Sequence, residues 1–448
     1  MQKNKLNIIP PLSETIPEFR FPEYKVIKFS DKINLYAIED NKQNLISIKF
    51  MVHRGAYHDS IEGLSYFCSQ LLTRGTSKMT AQQISEAVDS IGAGLNSSCS
   101  WDVTSINITS MFDFTDKSLN ILFDCVFNSV FSEEEIKRFK TKHISEIEQK
   151  LAEPDYLASL AFAKAMFSGS NMGHSLLGTK ESINSIKRKD CLQWYEELLH
   201  KSKISIIAIG NILSEYVLDY LPKYIDNTFL RENKIARQPK PKPIKTNRIV
   251  IVNKEKSFQT VLRIGKKTIG RQHQHYPAVQ IVNTIFGGFF LSRLNNILRE
   301  KLGYTYGISS YIDTSKAASS LVIGTSVNLD STLNSVNEII NQMNLISLKK
   351  IKKEELSIAK KYITGIFFRN METIHQLSSL LSIIALYSFK KDYYENYLDV
   401  ISKITLDNIY EIQQSYFTPE LLAFAAVGNE NKLNNILQEY GSIEVLKF

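Results

Sequence analysis

Three side chains within one helical turn raise the question of catalysis. In "GLSYFCSQLLTRGT", residues 63–76, Leu64, Phe67, Cys68, Leu71 and Leu72 recur at i, i+3, i+4, i+7 and i+8. That spacing predicts a helix with one buried face, and Gly75 is expected to stop it as a C-cap glycine. Tyr66, Ser69 and Gln70 fall on another face, with residues 66 and 70 one turn apart. Two histidines at that spacing, with a glutamate just before the second, would make a hydrolytic zinc centre. A phenol, an alcohol and a carboxamide do not replace them, because none is a good zinc ligand or a general base near neutral pH.

Other reactive side chains have quieter readings. Cys68 falls on the apolar face of its helix, where a structural thiol is expected, and a cysteine nucleophile would need a base beside it. His143 and Glu146, three residues apart in "HISEIEQKLAEPDY", are expected to be solvated helix residues. His273 and His275 in "RQHQHYP" are expected in an exposed loop near the start of a helix. The Gly287-Gly288 pair is not followed by Lys-Ser/Thr, so it is not a phosphate loop.

The elements that must position these residues need a long chain. It has 448 residues, comfortable for two domains, with 43% hydrophobic and 22% charged residues, a globular composition. The net charge is +8, but the lysines are scattered and often adjoin glutamates, which argues against nucleic-acid binding. Cys68, Cys99, Cys125 and Cys191 lack paired spacing, as expected for reduced thiols in a reducing compartment. The start, "MQKNKLNIIPPLSE", has no apolar h-region, so a cytoplasmic chain is expected. The longest apolar run, residues 377–389, is too short to span a bilayer and reads as a core helix.

Two halves are visible. "RENKIARQPKPKPIKTNR", residues 231–248, is basic, holds three prolines and lacks helical periodicity, so a linker is expected there. It would separate a domain at 1–230 from one at 249–448. "ISIIAIGN" ends at Asn211 and "LLAFAAVGN" ends at Asn429. The same offset relates Gly210 to Gly428, Ile183 to Ile401 and Ile186 to Ile404, which argues for duplication. Residues 45–55 and 260–267 read as strands, and 95–112 alternates like a paired strand set. Thr80 and Gln83 form a capping box before a helix. The run 132–167 reads as two helices broken near Glu153-Pro154. Strands and helices mix without a βαβ rhythm, which predicts two α+β domains with largely antiparallel sheets.

These motifs resemble those of the pitrilysin/insulinase-type peptidases, or inverzincins, over nearly the whole chain. The family's zinc helix has the pattern G-x-x-H-F-x-E-H-x-x-x-x-G-T. This sequence keeps Gly63, Phe67, Gly75 and Thr76 in register but carries Tyr66, Ser69 and Gln70 at the ligand and base positions. Glu146 matches the family's third ligand, and "GHSLLGT" (173–179) resembles the segment that follows it. "DSIGAGLNSSCS" (89–100) resembles the turn and edge strand along which the family lays its peptide. On that resemblance Asn96, Ser97 and Ser98 would bind substrate by strand addition. "FGGFFLSRLNNILREKLGYTYGISS" (286–310) closely resembles the family's second hallmark, with Arg299 and Tyr306 matching the Arg and Tyr that reach substrate from the non-zinc domain.

The resemblance implies two similar α+β domains, each an antiparallel sheet backed by helices. It also implies a zinc-free subunit of a two-subunit metallopeptidase. This chain would hold no metal, while a zinc-bearing homologous partner would hydrolyse peptides with Arg299 and Tyr306 supplied in trans. The competing expectation is a scaffold or peptide-binding subunit without catalysis. Retention of Arg299 and Tyr306 argues against the scaffold, while the peptide-binding subunit shares these residues with the catalytic partner and stays open at this point.

Overall fold

The computed structural model describes residues 19–225, 229 and 240–447. Strands β1 (Lys25–Lys28), β2 (Ile33–Glu39), β3 (Leu45–Val52), β4 (Gly94–Cys99), β5 (Thr104–Met111) and β6 (Ile204–Gly210) form one sheet, ordered β1-β2-β6-β3-β5-β4. Strands β7 (Arg248–Asn253), β8 (Gln259–Thr268), β9 (Thr305–Thr314), β10 (Ser319–Asn328), β11 (Ala423–Gly428) and β12 (Ser442–Leu446) form the other, ordered β12-β7-β11-β8-β10-β9. Neighbours are antiparallel except for β2–β6, β7–β11 and β7–β12. With helices against both sheets, this is the expected α+β fold in duplicate. The two Gly-Asn strands, β6 and β11, hold the same place in their sheets. The copies differ at the outer strand. β1 precedes its sheet and pairs antiparallel with β2, whereas β12 arrives from the far end of the chain and runs parallel to β7.

Local signals explain most elements. The alternation in 95–112 becomes the β4–β5 hairpin, with Ile106 and Ile108 buried. Thr80 and Gln83 make the reciprocal capping bonds. The run 132–167 becomes the helices Glu133–Ala152 and Pro154–Phe167, because Glu153 is extended and proline fits the first helical position. Gly75 does not cap its helix. The helix Leu64–Leu71 ends at Leu72, where the Leu72 and Arg74 N–H groups bond three residues back and tighten the last turn. Gly75 lies beyond, bridged to Thr80. Of the expected linker, residues 231–239 lie outside the described set, and 240–247 form neither helix nor strand.

The middle of each sheet is buried on both faces, with β6 and β11 buried at every residue, while the outer strands β1, β4 and β9 are partly exposed. One face packs on helices of the same half, while the other receives a helix from the opposite half. Pro154–Phe167 lies across β7, β8 and β11, with Leu157, Phe162 and Met166 against Val250, Val261 and Ala425. Alanines on β11 and Gly265 on β8 let this helix approach; a Cβ on Gly265 would stand 3.0 Å from the Phe162 ring. Reciprocally, Ile374–Tyr387 lies across β3 and β6, and Lys49 Nζ donates to Ser382 Oγ at 3.2 Å. The hairpin tips also meet. The Lys316 backbone N–H donates to both oxygens of the Asp102 carboxylate at 3.0 and 3.1 Å.

Candidate functional site

The helix Leu64–Leu71 is anchored at its start. Asp59 accepts from the Ser65 N–H at 3.0 and 3.2 Å and from the Ser65 hydroxyl, whose oxygen also accepts from Trp194 Nε1 at 2.9 Å. A carboxylate there suits the positive end of the helix. Burial nevertheless pushes the Asp59 carboxyl up to about 7, against the lowering effect of the Ser65 bonds and Arg54. Gly63, at φ +83, enters the helix in the left-handed region, and a Cβ there would stand 2.6 Å from the Gly178 backbone. Gly63→Ala should therefore lower stability by roughly 1–3 kcal/mol from backbone strain alone, read as a lower urea midpoint.

Asp59 also gives a pH dependence. Its folded value lies above the ordinary carboxylate range, so the folded chain binds this proton more tightly than the unfolded one. Its contribution to stability is present below pH 4 and is lost as pH rises through about 7. Asp59→Asn should flatten the change in thermal midpoint between pH 5 and pH 8. An unchanged profile would remove Asp59 as its source.

The positions that match the family's metal centre are occupied by a packed, hydrogen-bonded cluster. The Tyr66 ring stacks on His143 with centroids 5.3 Å apart, and Phe139 stacks on the imidazole at 5.5 Å. His143 is fully buried, contrary to its expected solvation, because these rings and the Glu133–Ala152 helix enclose it. Its Nε2 faces the Leu177 carbonyl at 2.9 Å, so that nitrogen carries a hydrogen and donates. Nδ1 faces Glu146 Oε2 at 3.3 Å. Glu146 is half-buried, only partly solvated against the expectation, and its other oxygen lies 3.6 Å from Lys142 Nζ. Ser69 is buried and donates to the Tyr66 carbonyl at 2.7 Å.

Gln70 Nε2 donates to the Ser97 carbonyl at 3.1 Å, tying the helix to β4. This donor set does not fit zinc: a phenol, an amide and an alcohol stand at the ligand and base positions, and the one imidazole spends Nε2 on a carbonyl. Among the described residues no group of three or more His, Cys, Asp or Glu is placed to hold a metal. Cys68 is buried, as expected, and burial raises its thiol well above the ordinary range.

β4 forms the outer edge of its sheet, so Asn96, Ser97 and Ser98 do lie on an edge strand. Asn96 and Ser98 are exposed, and Ser98 Oγ lies 3.0 Å from Ser105 Oγ. His273 and His275 sit in the turn before the Tyr276–Asn283 helix, where His275 Nδ1 meets the Tyr416 hydroxyl at 3.0 Å.

The second half builds its motif from two π-helical segments, Thr284–Gly288 and Asn295–Lys301. Such wide turns often mark functional places. Asn295 clamps the motif to β9. Its Nδ2 donates to the Ile308 carbonyl at 2.8 Å, and its Oδ1 accepts from the Ile308 N–H at 3.4 Å. Arg293 holds Glu355 with two bonds of 2.7 and 2.8 Å. Arg299 lies over the Phe290 ring at 4.6 Å, with Nε 3.4 Å from Glu300 Oε1. Tyr306, on β9 at the edge of the second sheet, is 94% exposed. A tyrosine so exposed adds nothing to the core. Among the described residues no hydrogen bond or ion pair links Arg299 or Tyr306 to the Tyr66–His143–Glu146 cluster.

Sequence reasoning missed a cavity of about 400 Å³ where the halves meet, lined by Trp101, Tyr156, Arg263, Tyr311, Asp313 and Ser320 among others. Its walls come from both halves, so no local motif marks it.

The comparisons agree with this architecture. Residues 35–180 match the insulinase family, peptidase family M16, and residues 185–363 match the peptidase M16 inactive domain. The chain belongs to peptidase family M16. It is 25% identical over 381 residues to the uncharacterized zinc protease YmxG of Bacillus subtilis (strain 168), covering 84% of this chain and 91% of that one. The non-peptidase homolog YmxG of Helicobacter pylori is 24% identical over 375 residues, 83% of this chain and 85% of that one. The crystal structure of a peptidase M16 inactive domain from Pseudomonas fluorescens superimposes with a TM-score of 0.82 at 18% identity, covering 91% of this chain and 98% of that one. A protease from Helicobacter pylori gives 0.82 at 15% identity, with 91% and 100% covered. Among the described residues no helix is long and apolar enough to cross a membrane.

Proposed function

We propose that this chain is the zinc-free subunit of a two-subunit metallopeptidase, placing Arg299 and Tyr306 against peptide held by a zinc-bearing homologue. The observation that carries the reading is the contrast between the two motifs. The first has become a stacked Tyr66–His143 cluster, whereas the second is clamped to β9 by Asn295 and leaves Tyr306 almost wholly exposed. Zinc in the partner would supply the activated water and polarise the scissile carbonyl. In this chain, the Tyr306 hydroxyl donates to the oxygen that becomes negative, and the Arg299 guanidinium binds and orients the peptide. The edge strand at Asn96–Ser98 offers backbone groups to an extended peptide. The four free cysteines suit a reducing compartment such as the cytoplasm.

The test is reconstitution with a candidate zinc-bearing homologue, with metal measured on each subunit. Zinc on the partner alone, and peptide cleavage only by the pair, is the expected result. One tightly bound zinc per molecule of this chain, with chelator-sensitive cleavage by it alone, would overturn the reading. A stable pair whose cleavage rate equals that of the partner alone would favour the scaffold reading.

A further inference from the structure

The cavity between the halves has a chemistry that the proposed reaction does not use. Its floor is the face of β8, β9 and β10, and its roof is the helix Pro154–Phe167, with Trp101 from the tip of the β4–β5 hairpin. Its volume of about 400 Å³ lies within the range of small-ligand sites. Most of the wall is apolar or aromatic, including Trp101, Phe162, Phe167, Met172 and Tyr311.

The charges on the wall are not balanced alike. Arg263 is committed to Asp155 at 2.6 Å, and Lys150 to Glu153 at 3.0 Å. Asp313 is different. It is an exposed residue. Among the described residues no cation stands within ion-pair range of it, and partial burial raises its carboxyl above the usual range against the lowering effect of the Thr314 backbone N–H. Ser320 stands directly across from Asp313 in the β9–β10 register. Ser320 is 1% exposed and contributes to the cavity wall, but its hydroxyl is closed off behind that wall and has no hydrogen-bond partner. A buried hydroxyl left unpaired is costly. The nearby Lys316 does not neutralise this corner, since its Nζ donates to the Leu386 carbonyl at 3.0 Å and its backbone N–H serves Asp102.

A carboxylate without a cation beside aromatic walls selects one kind of ligand. We propose that this cavity binds an organic ammonium carried on an aromatic or aliphatic body, with the ammonium donating to Asp313 and the body packed against Trp101, Phe162 and Tyr311. Aromatic faces add cation–π attraction. A peptide amino terminus and a lysine side chain both present this chemistry. The site needs neither a partner subunit nor Arg299 and Tyr306, so it is tested on the isolated chain.

Phenethylamine, phenethyl alcohol and 3-phenylpropionate are titrated by calorimetry, with Trp101 fluorescence as a second readout. Phenethylamine is expected to bind about tenfold more tightly than the alcohol, the scale of one hydrogen-bonded charge, and the carboxylate more weakly than either. Asp313→Asn should remove the preference for amine over alcohol. Ala163→Phe, which fills the cavity from the helix side, should abolish binding of both. Equal binding of the three probes, retention of the amine preference in Asp313→Asn, or no binding at millimolar concentration would overturn the proposal. Phe-Ala-Ala amide and N-acetyl-Ala-Lys amide then separate the sources. Binding of the first alone assigns an amino terminus, binding of the second alone a lysine side chain, and binding of neither beside phenethylamine a small free amine.

Discussion

Replacing Tyr306 with phenylalanine is expected to lower turnover by the reconstituted pair on the order of 10²–10³-fold, the usual cost of deleting one donor to a developing oxyanion. The substitution removes one oxygen from a side chain that is 94% exposed, so neither packing nor assembly should suffer. KM should change far less than kcat, because the lost bond strengthens only as negative charge develops. Arg299→Ala should raise KM as well as lower kcat, since Arg299 also holds the peptide before reaction. Its own stability cost should be small, because the guanidinium contacts the exposed Phe290 and the adjacent Glu300 rather than the core. Full turnover by a correctly assembled Tyr306→Phe pair would make Tyr306 an ordinary strand tyrosine and move the scaffold reading ahead.

The second half expressed alone, residues 240–448, is expected not to fold cooperatively. Its sheet depends on the helix Pro154–Phe167, which that fragment lacks. Leu157, Phe162, Met166 and Phe167 are all buried, and each contributes roughly 1.5–3 kcal/mol by burial. Their sum rivals the ~5–15 kcal/mol of net stability of a typical domain. Without the helix, Val250, Val252, Val261 and Val322 would also face water. Near-ultraviolet circular dichroism and urea titration should show loss of fixed packing and a broad transition, and co-expression with residues 1–230 should restore both. A monomeric fragment with a sharp urea transition would show the helix to be dispensable.

Local periodicity was legible because it reports burial directly. Leu64, Phe67, Cys68, Leu71 and Leu72 read as one face and are all buried. The alternation through 95–112 read as a hairpin and is one. Gly75 misled because the helix has already ended in tightened bonds at Leu72 and Arg74 before the glycine is reached.

The sequence by itself determined the duplication, the antiparallel α+β elements and the loss of metal-binding side chains at residues 66, 69 and 70. These are properties of residue type and spacing within single elements. Only the tertiary structure decided that His143 is enclosed by Tyr66 and Phe139, that Gln70 ties its helix to Ser97, and that each half lends the other a helix. It also gathered Asp313, Tyr311 and Trp101 around one cavity. The physical reason is that a pattern of apolar residues says a face is buried but not what buries it. That choice is made by close packing between segments far apart in the chain, where side-chain shape and unpaired polar groups decide the fit.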